Sequence, residues 1–386
     1  MNTILGDISP EQFLKEYWQK RPLLIRGAFS SALVAGEDAL ITAEELAGYS
    51  LEDDIESRLI QNHNADWQLE HGPLEESRFS ELAEENWTLL VQSLDYFHPP
   101  LRELIKACNF IPRWRLDDVM VSYATDGGGV GPHLDKYDVF LIQGEGQRRW
   151  RVGHKNQATT ANNPHPQIAQ IEPFEADMDI IVNPGDMLYI PPNTPHWGES
   201  IGNSICYSVG FRAPSIGGVI QKLMQLPQTD FDRLWSDENR LTIQSHSGEL
   251  TDDMSQWAQQ QVNQLWTADD YLMAFGKEVT ELKYPEMLEV PTDDELSDWI
   301  ALALHEGIKA ESLARMTYIE REAELWLFIN GECKPMDSSL ASIVRQLNQS
   351  FECSAEQLAL LDKKVSNDFL AFAMDLGAIK PASFEI

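Results

Sequence analysis

A chain of 386 residues, 43% of them hydrophobic, is long enough for two or three domains with a buried core and too apolar for gross disorder. No apolar run reaches the roughly 18 residues of a membrane span, the opening MNTILGDISPEQ lacks a basic segment leading into an apolar one, and four scattered cysteines without a CxxC pair argue against a disulfide framework or a structural zinc site. A cytoplasmic setting is the expectation. The net charge of -33 disfavours nucleic acid and anionic membranes as direct partners and would attract a basic one.

The first hundred residues read as helices. Ser9-Pro10-Glu11-Gln12 and Thr42-Ala43-Glu44-Glu45 are capping boxes, and Phe13, Tyr17 and Trp18 share one face of the helix after Ser9. From Arg115 the period falls to two: Val119, Val121 and Tyr123 point one way, and Asp118, Met120, Ser122 and Ala124 the other. Further strand-like runs cover 137–143, 148–152, 179–182, 187–190 and 205–211. Gly, Pro and Asn turns separate them, which predicts a β-sandwich or barrel. After Pro214 the pattern turns helical and acidic, with seventeen Asp and Glu against four Lys and Arg over residues 228–300. Pro285 and Pro291 frame a linker. A capping box at Thr292-Asp293-Asp294-Glu295 opens a helix that ends at Gly307. A short helix near 309–315, an alternating run over 318–329 and two more helices, one capped at Ser354, suggest a small α+β module of winged-helix type. The expected divisions are 1–214, 215–285 and 286–386.

One stretch, GGGVGPHLDKY over residues 127–137, raises three readings: a phosphate loop, a metal site or a tight turn. A dinucleotide loop lies between a strand and a helix, and a P-loop continues into Lys-Ser/Thr; here the glycines run into Pro132 and a strand. The metal reading fits better. On extended backbone His133 and Asp135 share a side, about 6.5 Å apart, close enough for one cation. A third ligand must come from elsewhere, and His196, after the proline-stiffened PPNTP, is best placed. Two histidines and a carboxylate with open positions form the facial triad of non-haem Fe(II) oxygenases; the bland alternative is a turn with a surface ion pair. Arg148, inside an apolar strand, needs an anion. A dicarboxylate cosubstrate or a protein carboxylate would serve. In ICYSVGF the small residues Cys206, Ser208 and Gly210 share one face, leaving space for a ligand inside a barrel or else facing solvent.

These segments also carry a resemblance. FLKEYWQKRPLLIRG, GGGVGPHLDKYDVFLIQGEGQRRWRVG, PGDMLYIPPNTPHWG and YSVGFRAP, in order across residues 10–214, resemble JmjC-domain 2-oxoglutarate oxygenases. Among these they are similar to the bacterial ribosomal oxygenases, which hydroxylate an arginine in protein sixteen of the large ribosomal subunit. The resemblance implies an α+β protein: a double-stranded β-helix (jelly-roll or cupin) barrel preceded by helices. A helical dimerisation segment and a C-terminal module would follow. It implies a dioxygenase using Fe(II), 2-oxoglutarate and O2, with His133, Asp135 and His196 as iron ligands. Arg148 would bind the distal 2-oxoglutarate carboxylate, Ser122 would lie near the cosubstrate, and Asp118, Tyr137 and Ser208 near the substrate arginine. Some relatives carry serine at the position of Ala124, which leaves the cosubstrate's polar partners there open. The implied partners are a basic ribosomal protein and a second copy of the chain. The glycines of the opening motif are expected to turn the backbone tightly and to leave room beside the metal. Rival readings are a metal-binding cupin isomerase or hydrolase, a non-catalytic ligand sensor, and the same iron chemistry on histidine, lysine or a small molecule.

Overall fold

Ser9 opens the first helix, α1 (Pro10–Glu16), by accepting a 3.2 Å hydrogen bond from the Gln12 amide. Its one buried residue, Phe13, sits in a ring cluster with Trp18, Phe140 and Tyr189 at centroid separations of 6.1, 5.7 and 5.0 Å. The computed structural model describes residues 4–36, 38–63, 66–226, 230–234, 243, 246 and 248–384. It divides into one unit of Met1–Ala213 with Phe384–Ile386 and a second of Pro214–Ser383.

After α1 come β1 (Leu23–Ile25), α2 (Ser31–Val34) and α3 (Ala43–Tyr49), the last with the reciprocal capping box expected at Thr42. There follow β2 (Ser57–His63), β3 (Asp66–His71), α4 (Glu76–Ser80), β4 (Trp87–Val91) and α5 (Arg102–Ala107). The expectation of helices throughout the first hundred residues is therefore wrong for four strands. β3, at the sheet edge, does alternate, but only Trp67 and Leu69 carry its apolar period, too few positions to stand out among the helical segments. β4 is a short continuous apolar run, which periodicity alone does not assign.

The expected strands all form. β5 (Leu116–Ala124), β6 (Asp138–Gln143) and β7 (Gln147–Val152) precede a small hairpin of β8 (Ala161–His165) and β9 (Ile168–Ile171). β10 (Met178–Val182), β11 (Met187–Ile190), β12 (His196–Ile201) and β13 (Ser204–Phe211) complete the unit. An eight-stranded antiparallel sheet in the order β1-β11-β6-β13-β5-β4-β2-β3 is accompanied by a three-stranded sheet, β10-β7-β12. Residues of both sheets meet in one apolar cluster that joins Leu141, Leu188 and Cys206 to Trp150, Val152 and Val182. The alternation of β7, with Arg148, Trp150 and Val152 buried between exposed Gln147 and Arg149, fixes which side chains face inward. This is the jelly-roll architecture of JmjC and cupin proteins.

The second unit holds α6 (Ile216–Met224), α7 (Asp252–Asn263), α8 (Ala268–Val279) and α9 (Asp293–Glu306). Parts of the expected helical segment, 227–229 and 235–242 among them, lie outside the described residues. Beyond α9 come β14 (Ile308–Ala310), β15 (Met316–Glu320), β16 (Glu324–Ile329) and β17 (Glu332–Asp337). α10 (Ala341–Ser350), β18 (Glu352–Cys353), α11 (Ala355–Leu358), α12 (Lys363–Asp375) and β19 (Ile379–Pro381) end the chain. The short helix expected near 309–315 is instead β14 and a turn. Gly307, at φ +96, ends α9 against the Cys353 carbonyl and sends the chain into a sheet with β18 and β19. The alternating run over 318–329 is two strands, β15 and β16, turned between Glu320 and Glu324.

Candidate metal centre

His133 lies just before β6 and His196 opens β12. The two residues form an isolated antiparallel bridge in which the His133 amide donates to the His196 carbonyl at 3.0 Å and the His196 amide to the His133 carbonyl at 3.1 Å. The Asn193 amide donates to the Asp135 carbonyl at 2.7 Å, so backbone contacts hold all three residues around the bridge. Their candidate ligand atoms lie within 4.8 Å of one another. From Asp135 Oδ2 to Nε2 the distances are 3.4 Å for His196 and 3.9 Å for His133.

Each imidazole is oriented by its other nitrogen. His133 Nδ1 sits 2.9 Å from the Gly131 carbonyl, and His196 Nδ1 sits 2.9 Å from the Thr194 carbonyl. Carbonyls only accept, so each Nδ1 carries the proton and each Nε2 presents a lone pair inward. Burial, and then the neighbouring His196, lowers the His133 pKa to about 4, which keeps it neutral at physiological pH. Burial would raise the Asp135 pKa, but the His196 and His133 contacts outweigh it and hold the carboxyl at about 2. Two lone pairs and a carboxylate converge without a cation of their own, an arrangement a divalent metal relieves. The N2O donor set on one face fits Fe(II).

The glycines of the motif turn the backbone as expected, Gly127 at φ +70 and Gly131 at φ +78. The Gly127 amide donates to the Ser200 carbonyl and the Ser200 amide to the Gly128 carbonyl, both at 3.0 Å. A Cβ on Gly128 would stand 2.2 Å from the Trp87 carbonyl, and one on Gly129 would stand 2.3 Å from that of Gly198. That space is filled by neighbouring backbone, so Gly128 and Gly129 seat the loop against β4 and β12.

Arg148 is buried, 8% exposed, on the inner face of β7. Its Nε donates to Ser204 Oγ and its Nη1 to Ser122 Oγ, both at 2.9 Å, and Nη2 donates to the Ser122 carbonyl at 3.1 Å. Among the described residues no protein carboxylate pairs with it, and burial lowers its pKa. That disfavours the salt-bridge alternative: serines orient the fork, and its charge awaits an anion. Arg148 and His196 lie on neighbouring strands, offset by four positions because His196 pairs with Val152 and Arg148 with Ser200. Four positions of strand span about 13 Å, which an arginine side chain and a five-carbon dicarboxylate can bridge together.

The remaining expected residues divide. Ser122, buried, contacts Arg148 directly. Tyr137 is half-exposed, yet its hydroxyl bonds Asp135. Burial and then Asp135 push the phenol pKa well up, and Arg58 stands near. Asp118 and Ser208 are buried on adjacent β5 and β13, so the small-residue face does not meet solvent. Sequence reasoning missed Ser200 and Ser204, whose hydroxyls lie 2.7 Å apart beside Ala124 and Arg148. The alternation of GESIGNSICYS carried that signal. It also missed Gln92, Ser93 and Asp95, which hold Asp118 and Val119 from a loop that shows no motif.

Comparison with known proteins places this geometry. A family model described as JmjC domain matches residues 103–219. The chain is 33% identical over 370 residues to the ribosomal protein uL16 3-hydroxylase of Escherichia coli, covering 93% of this chain and 96% of that protein. It is 34% identical over 344 residues to a probable ribosomal oxygenase of Haemophilus influenzae, covering 84% and 82%. A solved structure of YcfD, a ribosomal oxygenase from Escherichia coli in complex with cobalt and 2-oxoglutarate, superposes with a TM-score of 0.78 at 31% identity. It covers 97% of this chain and 98% of that one. With this near full-length similarity and a His-Asp-His triad on a jelly-roll barrel, the chain belongs to the JmjC-domain ribosomal oxygenase family, whose chemistry uses Fe(II), 2-oxoglutarate and O2.

Proposed function

We propose that the chain hydroxylates an arginine side chain of a large-subunit ribosomal protein, with His133, Asp135 and His196 holding Fe(II) and Arg148 holding 2-oxoglutarate. The observation that carries this reading is Arg148: a buried guanidinium oriented by Ser122 and Ser204, without a protein counter-ion among the described residues and four strand positions from a metal ligand. A simple metal-binding cupin has no use for such a cation. When bound, iron with 2-oxoglutarate and O2 supplies the oxidising power to hydroxylate an unactivated C–H bond, with succinate and CO2 as coproducts.

The chain's own residues bind and orient. The Gly131 and Thr194 carbonyls keep the Nδ1 protons, so both imidazoles ligate through Nε2. The guanidinium of Arg148, oriented by Ser122 and Ser204, would pair with the distal cosubstrate carboxylate. The carboxylate of Asp118 meets the cationic substrate side chain, with Tyr137 and Ser208 beside it. The Escherichia coli relative is named for uL16; a basic protein of that kind suits a chain of net charge -33. The second unit would supply a dimer contact over 215–285, which the exposed Ile216, Ile220 and Met224 of α6 support at spacing i, i+4, i+8. A winged-helix-like module over 286–386 completes the proposed division.

The test is anaerobic loading with Fe(II) and 2-oxoglutarate, admission of air, and mass spectrometry of an arginine-containing uL16 peptide. The peptide should gain one oxygen atom, and His133→Ala should abolish the gain. Succinate formation without any modified arginine would overturn the substrate assignment, and its complete absence would overturn the oxygenase.

A further inference from the structure

Asp118 lies where the backbone ladder gives out. β4 pairs with β5 from Thr88↔Ala124 as far as Val91↔Val121 and no further. On the other side β13 shifts register between Val209 and Phe211, at Gly210. A Cβ on Gly210 would stand 3.3 Å from Asp118 Oδ1. Bulges next to functional sites re-aim side chains, and this one stands beside Asp118.

Side chains of the loop after β4 grip the strand in place of the missing ladder. Gln92 Nε2 and Ser93 Oγ both donate to Asp118 Oδ2, at 2.7 and 2.5 Å, and the Val119 amide donates to Asp95 Oδ1 at 2.7 Å. Ser93 is buried, 2% exposed, in the left-handed region at φ 53 and ψ 34. A non-glycine residue there is strained by its Cβ. Glycine would remove that strain but lose the hydroxyl that reaches Asp118. The loop accepts strain and in return points a donor at one carboxylate oxygen.

We propose that Gln92 and Ser93 are positioning residues that lock the Asp118 carboxylate in the rotamer that receives the cationic side chain of the substrate, and so set selectivity for a basic peptide. The inference rests on the proposed role of Asp118 as the substrate's anchor. Two donors on one oxygen fix the plane of the carboxylate, and a planar guanidinium responds to that plane more than a freely rotating ammonium does.

The test uses the full chain with Fe(II), 2-oxoglutarate and the uL16 peptide, comparing Ser93→Gly, Ser93→Ala, Gln92→Leu and Asp118→Asn. The loop variants should raise peptide KM about tenfold while kcat falls less than about twofold. Ser93→Gly should melt at or above the wild-type temperature and still lose peptide affinity. A purely structural serine predicts that the glycine variant binds peptide normally, and that result overturns the proposal. If Asp118→Asn raises KM but Ser93→Gly and Gln92→Leu do not, the positioning role fails and the anchor stands. If Asp118→Asn leaves KM unchanged, the anchor reading itself fails and the proposal falls with it. An ammonium-for-guanidinium peptide should lose less on Ser93→Gly than the arginine peptide does; an equal loss counts against rotamer locking.

Discussion

Asp95 shows how a residue remote from the metal shapes the protein's response to pH. Burial, and then the neighbouring Asp118 carboxylate, raises its pKa from 3.8 to about 7, against opposing help from the Val119 amide and Arg113. The native state thus keeps a proton that the unfolded chain releases at a pKa near 3.9. Its stabilising effect is fully present below that value and is lost as pH rises through about 7. Asp95→Asn stays neutral throughout and keeps an oxygen for the Val119 amide. The variant should therefore be more stable than wild type at pH 8, on the order of 1–3 kcal/mol, and indistinguishable near pH 4. Urea unfolding at the two values checks this, and a pH-independent difference would refute it.

The elements of the barrel were legible because their chemistry is local. Alternation in β5 and β7 names the inner face, and capping boxes at Thr42, Thr292 and Ser354 all form as written. The triad of candidate metal ligands was legible from the extended His-x-Asp and the stiff turn before His196. What escaped was decided by neighbours. β2 and β3 become strands by pairing at a sheet edge, and β14 follows from a glycine stop, its Ile308 pairing with Cys353 and Pro381, 45 and 73 residues further on. The loop holding Asp118 shows no pattern because its role appears only against β5. The packing of the glycine loop was not legible either, since only the fold reveals that the Trp87 and Gly198 carbonyls stand against it. Gly128→Ala should accordingly cost about 1–3 kcal/mol, as overpacking against rigid backbone does, and should weaken metal retention by loosening the ladder between the loop and β12. Thermal unfolding with and without added Mn(II) reads both effects. A stable variant with a normal metal-induced shift in melting temperature would contradict the packing argument.

Across the whole molecule the acidity is uneven, concentrated over 228–300 and not around the metal ligands. A basic substrate would be drawn by the long-range field and recognised by a few buried groups, two effects that salt separates. Raising ionic strength from about 0.05 to 0.5 M should lower kcat/KM for the uL16 peptide about tenfold or more, while KM for 2-oxoglutarate, for which we propose buried Arg148 as the partner, changes far less. Equal sensitivity of the two would remove the case for steering. No described helix is long and apolar enough to cross a membrane.

The backbone bridge between His133 and His196 joins two of the three candidate ligands through main-chain atoms. Everything between them in the chain, from β6 to β11, forms a closed excursion that leaves from one ligand and returns to the other. Sequence drift within that excursion can reshape the walls of the pocket and change what it admits. The spacing of the two histidine backbones is set by a stitch of main-chain atoms, so within the excursion only Asp135 and Thr194, which complete and orient the site, are tied to it. The walls of the pocket can thereby change while the backbone spacing of the two histidines is kept.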